Sequence, residues 1–142
     1  FGVVGQVVSV GSVSSRVLLV SDKRSSVPVK DYRNGLRAIV SGTGDSDELR
    51  LQNITRSTNI KKGDMFVSSG FALRFPVGYP VGVVTSVVAK PGARFLTVTL
   101  RPLAHLTQSG QLLLAWPAQA KLRQLVLAEL KRPLPNAEKV KK

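Results

Sequence analysis

The chain has 142 residues, 43% of them apolar and 20% charged, and 21 Lys+Arg against 8 Asp+Glu leave a formal net charge of +13. That apolar content excludes wholesale disorder, and the absence of cysteine excludes disulfides, iron–sulfur clusters, thiolate zinc sites and a cysteine nucleophile. No apolar run reaches the roughly 18 residues of a membrane span, no signal-peptide pattern is present, and a field of +13 attracts nucleic acid, anionic head groups or acidic polymers about equally well.

Valine occurs 21 times, mostly in short runs bounded by Gly, Ser, Pro or Asn, which is how strands read when branched side chains pack on a pleated surface. In chain order the runs predict strands at Val3 to Val10, Arg16 to Val20, Val27 to Lys30, Leu36 to Val40 and Glu48 to Leu51. They continue at Met65 to Ser68, Gly82 to Val88, Phe95 to Arg101 and Gln111 to Trp116. Turn signals separate them: Asn34-Gly35, Gly42-Thr43-Gly44, Lys62-Gly63-Asp64 and Lys90-Pro91-Gly92. Nine short strands at this spacing predict closed antiparallel barrels. After Pro117 the composition changes: Leu122, Leu125, Val126 and Leu130 recur at helical spacing until Pro133 and Pro135, predicting an amphipathic helix and then a basic tail. Residues 121–142 carry +5 of the net charge and residues 1–120 carry +8, and a solvated tail is the plainer reading of that end.

Catalytic patterns are nearly absent. His105 is the only histidine and has no second metal-ligand type at ligand spacing, so no metal site is expected. Gly44-Asp45-Ser46 invites comparison with a trypsin-like serine, but Asp47 follows where glycine is needed and the histidine comes after the serine. Asp45, Asp47 and Glu48 crowd the same glycine-rich turn without EF-hand spacing and read as a hairpin tip. No Gly-Lys phosphate loop exists, and no cofactor is expected.

Phe71, Phe75 and Tyr79 cluster with Arg74 in one Pro- and Gly-rich loop. Single-strand binders interleave many exposed aromatics with basic residues, whereas this loop reads as a rigid, partly apolar protein-binding knob. Pro76 and Pro80 fix φ, and Gly70 and Gly78 permit sharp turns, so little ordering is left to pay for on docking. The alternative for the same aromatics is that they plug a barrel mouth.

The stretch Ile60-Lys61-Lys62-Gly63-Asp64-Met65-Phe66-Val67-Ser68-Ser69-Gly70, continuing through Arg74-Phe75-Pro76-Val77-Gly78-Tyr79-Pro80-Val81-Gly82-Val83-Val84, resembles the signature of the rod shape-determining protein MreC family. Gly2-Val3-Val4-Gly5-Gln6-Val7, Ser15-Arg16-Val17-Leu18-Leu19, Val27-Pro28-Val29, Arg101-Pro102-Leu103 and Leu112-Leu113-Leu114-Ala115-Trp116 fit it in the same order, over about residues 2–116. The resemblance implies an all-β fold of two small antiparallel barrels arranged as in trypsin-like proteases but without a triad. The first barrel is expected over 1–60, incomplete at its start and open at a strand edge, the second over 61–116, and a short helix and tail over 117–142. It implies structural motif roles for Gly5, Gly63, Asp64, Gly70, Pro76, Gly78, Pro80, Gly82, Arg101 and Pro102, and partner contacts through Phe71, Arg74, Phe75 and Tyr79. It further implies a non-catalytic periplasmic scaffold of the cell-elongation machinery, anchored to the inner membrane by a segment absent from this chain. Such a scaffold self-associates as dimers or filaments and docks the elongation transpeptidase and other membrane shape proteins. A basic β-barrel nucleic-acid-binding module is the alternative function, and a trypsin-like hydrolase a third.

Overall fold

The valine-rich alternation closes six strands into one ring. The computed structural model describes residues 2–108, 110–115 and 128. Eight strands run through them: β1 (Gly5–Val10), β2 (Ser15–Leu19), β3 (Ser26–Asp31), β4 (Arg37–Gly42), β5 (Leu49–Thr55), β6 (Met65–Ser68), β7 (Pro80–Val88) and β8 (Phe95–Pro102). The last six form a closed antiparallel barrel in the order β3-β4-β5-β8-β7-β6, while β1 and β2 make a separate two-stranded sheet.

Alternation decides which face is inside. Along β3, Val27, Val29 and Asp31 point into the barrel, and Leu49, Leu51, Ile54, Phe66, Val84, Val98 and Leu100 join them in a continuous apolar core. Cross-strand partners lock the register: Val40 faces Leu51, and Leu100 faces both Leu49 and Val84. A one-residue slip would turn this whole set outward. Register shifts between Leu51 and Ile54, Phe66 and Val67, and Val84 and Ser86 mark bulges that help so small a ring to coil and close. At the first of these Asn53 takes a left-handed φ of 54°, and β5 continues through it to Thr55, beyond the expected strand end at Leu51.

The β1–β2 hairpin is tied to the barrel at its base. Val3 N donates to the Pro80 carbonyl at 2.8 Å, Val20 N to the Val4 carbonyl at 3.0 Å, and Val20 is buried in the barrel core. Gly5 is needed where β1 begins to pair with β2, because a Cβ there would lie 2.4 Å from the Leu18 carbonyl oxygen. Farther out Val8, Val10 and Val13 are exposed, and among the described residues neither outer edge of this sheet is paired with another strand.

The all-β, antiparallel barrel expectation holds, but the strands are apportioned differently from a division at residue 60. β3 pairs with β6 and β5 pairs with β8, so strands from both sides of that position complete one ring by hydrogen bonding. The change of sheet falls between β2 and β3, and a two-stranded sheet stands where a first barrel was expected. The ninth strand is also corrected. Residues 111–115 lie outside any sheet, with Leu112, Leu113 and Leu114 exposed, and the closed ring offers no free edge for them to join. The expected helix and basic tail over 117–142 lie outside the described residues, apart from residue 128.

Candidate functional site

The connection from β6 to β7, residues 69–79, leaves the barrel at the end where the hairpin attaches. Ser68, the last residue of β6, is fully buried and organises the loop. Its hydroxyl donates to the Pro76 carbonyl and accepts from Tyr79 N at 2.9 Å, its amide donates to the Tyr79 carbonyl at 2.8 Å, and its own carbonyl accepts from Gly78 N at 2.9 Å. Four bonds from one residue staple the loop ends together. The loop then makes one short 3-10 turn, Phe71–Leu73, entered through Gly70 at φ 73° and containing Ala72 at φ 60°. Positive φ at a non-glycine residue stores strain that only a well-tied loop sustains.

The aromatic residues divide between two roles. Phe71 is 67% exposed and Tyr79 41%, with Val77 and Arg74 also exposed, whereas Phe75 is 6% exposed and packs in the barrel core. The expectation that Phe75 contacts a partner is therefore corrected: it plugs the barrel from below, and the outward surface is Phe71, Arg74, Val77 and Tyr79. Gly70 permits this geometry. A Cβ there would meet Val77 Cγ2 at 2.3 Å, and its φ disfavours any other residue. Gly70→Ala is expected to lower stability by about 1–2 kcal/mol in urea unfolding; a change below about 0.5 kcal/mol would mean that the loop does not hold this conformation.

The other motif residues lie on the framework. Gly82 is buried, pairs with buried Pro102 on β8, and a Cβ there would lie 3.0 Å from the Arg101 carbonyl oxygen, while the Arg101 side chain is exposed. Gly63 turns into β6, and Pro76, Gly78 and Pro80 shape the loop. Asp64 is 7% exposed; it accepts from Lys61 N at 2.9 Å and takes both arms of the Arg33 guanidinium at 2.9 Å each. The guanidinium holds the Asp64 carboxyl down to about 2. Beside it Asp31 is 1% exposed; its Oδ1 accepts from Arg33 N at 2.8 Å, and its Oδ2 faces no donor. Burial pushes the Asp31 carboxyl up, and the Asp64 carboxylate adds to the rise. Arg33 and Asp31 carry no motif signal in the sequence, and Ser68 stands within the signature stretch without being singled out; their burial and partners reveal them.

At the same end of the barrel as the aromatic loop, two open clefts of about 610 and 510 Å³ share Lys23. The first is lined by Val17, Leu19, Asp22 and Arg24, with Asp22 held down to about 2 by its hydrogen bonds from Arg24. Gly44-Asp45-Ser46 forms part of the β4–β5 turn, where Asp45 accepts from Asp47 N at 2.9 Å. Among the described residues no cluster of His, Asp and Glu has metal-binding geometry.

Comparison with known proteins places this architecture. The family model described as rod shape-determining protein MreC, barrel core, matches residues 1–116. The cell shape-determining protein MreC of Haemophilus influenzae is 47% identical over 124 residues, 87% of this chain and 35% of that protein. The crystal structure of MreC from Pseudomonas aeruginosa superposes with a TM-score of 0.72 at 45% identity, covering 76% of this chain and 70% of that one. A complex between penicillin-binding protein PBP2 and MreC from Helicobacter pylori matches with a TM-score of 0.53 at 26% identity, over 66% of this chain and 57% of that one. The chain spans about a third of the length of the curated relatives it matches.

Proposed function

Because the chain belongs to the rod shape-determining protein MreC family, whose barrel core it carries, we propose that it is a non-catalytic periplasmic scaffold of cell elongation that docks a penicillin-binding transpeptidase through the 69–79 loop. The observation that carries this reading is a tied, strained loop presenting Phe71 and Tyr79 to solvent on a closed barrel. Exposed large aromatics are anchors when the surface around them is preorganised, since little entropy remains to be lost on association. The relative solved in complex with PBP2 supplies the class of partner. Catalysis finds no support in the geometry described: Ser46 lies in a hairpin turn where the Asp45 carboxylate accepts from the Asp47 backbone amide. The scaffold also self-associates in this reading, and the exposed, unpaired edges of the β1–β2 sheet are the surface suited to strand pairing with a second copy.

Phe71→Ala is expected to weaken binding of the PBP2 periplasmic region by roughly thirtyfold in calorimetry while leaving the unfolding midpoint unchanged, and Tyr79→Ala by roughly tenfold. Unchanged affinity in a folded Phe71→Ala protein would remove the loop as the docking site.

A further inference from the structure

The two ends of the barrel differ in charge. The turn after β3, the β5–β6 loop and the β7–β8 turn all emerge at the end opposite the aromatic loop, as Asp31 pairs with Phe66, Thr55 with Phe95 and Val88 with Thr97 near that end. These connections bring Arg37, Arg56, Lys61, Lys62, Lys90 and Arg94 to one rim, all of them exposed. None forms an ion pair among the described residues, and the rim's remaining guanidinium, Arg33, is neutralised by Asp64. Of the six carboxylates in the described residues, Asp31 and Asp64 are buried inside this end, and Asp22, Asp45, Asp47 and Glu48 all lie at the other. The rim thus presents six unopposed cations and no exposed carboxylate.

The arrangement is fixed rather than loosely tethered. Arg56 Nε donates to the Ala93 carbonyl at 3.0 Å and its Nη2 to the Lys90 carbonyl, binding the β7–β8 turn to the end of β5. Asn34 donates to the Asn59 carbonyl at 2.9 Å, binding the β3–β4 turn to the β5–β6 loop. The cations surround a barrel end and do not follow a groove, the two clefts being at the far end. Tyr32, 74% exposed, and Phe95, 40% exposed, stand on opposite sides of the ring, one following β3 and the other opening β8. A linear polyanion is tracked along a groove with consecutive stacking platforms. A ring of cations with the amphipathic Tyr32 on one side, and on the other the Phe95 ring 5.8 Å from the Arg94 guanidinium, is matched instead by a flat anionic surface, where aromatic rings settle at head-group level.

We infer that this rim is a contact surface for a phospholipid bilayer carrying anionic head groups, with the barrel standing on the membrane and the 69–79 loop pointing away from it. The inference is independent of the transpeptidase reading, because the two surfaces are at opposite ends.

The test is co-sedimentation of the full chain with vesicles of phosphatidylcholine alone or with one-third phosphatidylglycerol, at low and physiological salt. Each Lys or Arg near an anionic bilayer contributes about a fivefold factor, so Lys61→Gln with Lys62→Gln and Lys90→Gln is expected to weaken binding about a hundredfold at low salt without moving the unfolding midpoint. Arg37→Gln with Arg94→Gln, a second rim variant, is expected to weaken it about twentyfold. Changing the tail residues Lys139, Lys141 and Lys142 to Gln is expected to leave most of the binding in place, and PBP2 binding is expected to be unaffected by either rim variant. The inference is overturned if the chain ignores phosphatidylglycerol, or if the tail variant abolishes binding while the rim variants retain it. Tighter binding of a single-stranded oligonucleotide than of vesicles at physiological salt, lost in the rim variants, would assign the rim to nucleic acid and equally overturn it.

Discussion

Phe75→Ala is expected to lower the unfolding free energy by about 3–5 kcal/mol, whereas Phe71→Ala, four residues earlier in the same loop, is expected to change it by less than about 0.5 kcal/mol. Phe75 is 6% exposed and belongs to the same cluster as Phe66, Val81 and Val84, so truncation removes a ring's worth of buried apolar area and leaves a cavity at the barrel end. The cavity should persist, because the loop above it is held by the four bonds of Ser68 and cannot easily sink to fill the space. Phe71 is 67% exposed and has little buried area to lose. Equilibrium urea denaturation of the two variants measures the contrast directly. Equal destabilisation would mean that Phe71 is packed in solution and is no docking anchor. The same contrast decides how a loss of binding is to be read: a double change of Phe71 and Phe75 would weaken partner binding through unfolding alone, so the loop has to be tested through Phe71 and Tyr79.

Arg33→Ala is expected to destabilise the fold at neutral pH, because it takes both guanidinium bonds from the buried Asp64 carboxylate. The Arg33 side chain is 40% exposed, and solvent screening keeps the cost below that of a fully enclosed pair. The pH dependence follows from the two carboxyls, with opposite signs. The Asp64 carboxyl, at about 2 in the folded chain against 3.8, stabilises fully above the unfolded value, and its contribution disappears as pH falls through the folded one. The Asp31 carboxyl is raised, so its contribution is complete below 3.8 and is lost as pH rises through its folded value. Asp31→Asn keeps an acceptor for Arg33 N and gives Asp64 a permanent donor, so this variant should gain on the unaltered chain between pH 3 and pH 7. Unfolding free energies at the two pH values check this. A gap between Asp31→Asn and the unaltered chain that is the same at both would mean that Asp31 does not titrate differently on folding.

The residues of the chain determined a good deal without coordinates. Short apolar runs bounded by turn residues marked every strand of the ring, with the alternation of a half-buried pleated surface clearest in β5 and β8, and Pro76, Gly78 and Pro80 marked a stiff loop because each limits or releases backbone dihedrals locally. The missing catalytic constellation and the order of the signature stretches were equally legible, since both depend only on residue types and their succession. What tertiary structure alone decided involves partners distant along the chain or directions in space. Strand pairing placed β3–β5 and β6–β8 in one ring where a division at residue 60 had been expected, since ring closure depends on contacts such as Leu49 with Leu100. Phe71 and Phe75 look alike in sequence, and an aperiodic loop has no face that burial can be read from. Arg33 and Asp64 are 31 residues apart, and the charge of +8 on residues 1–120 divides into a basic rim and a mixed far end only when the turns of the barrel are brought together. Periodicity and local dihedral preference act between neighbours and are written in succession; charge distribution and facing are properties of the closed surface and arise only on folding.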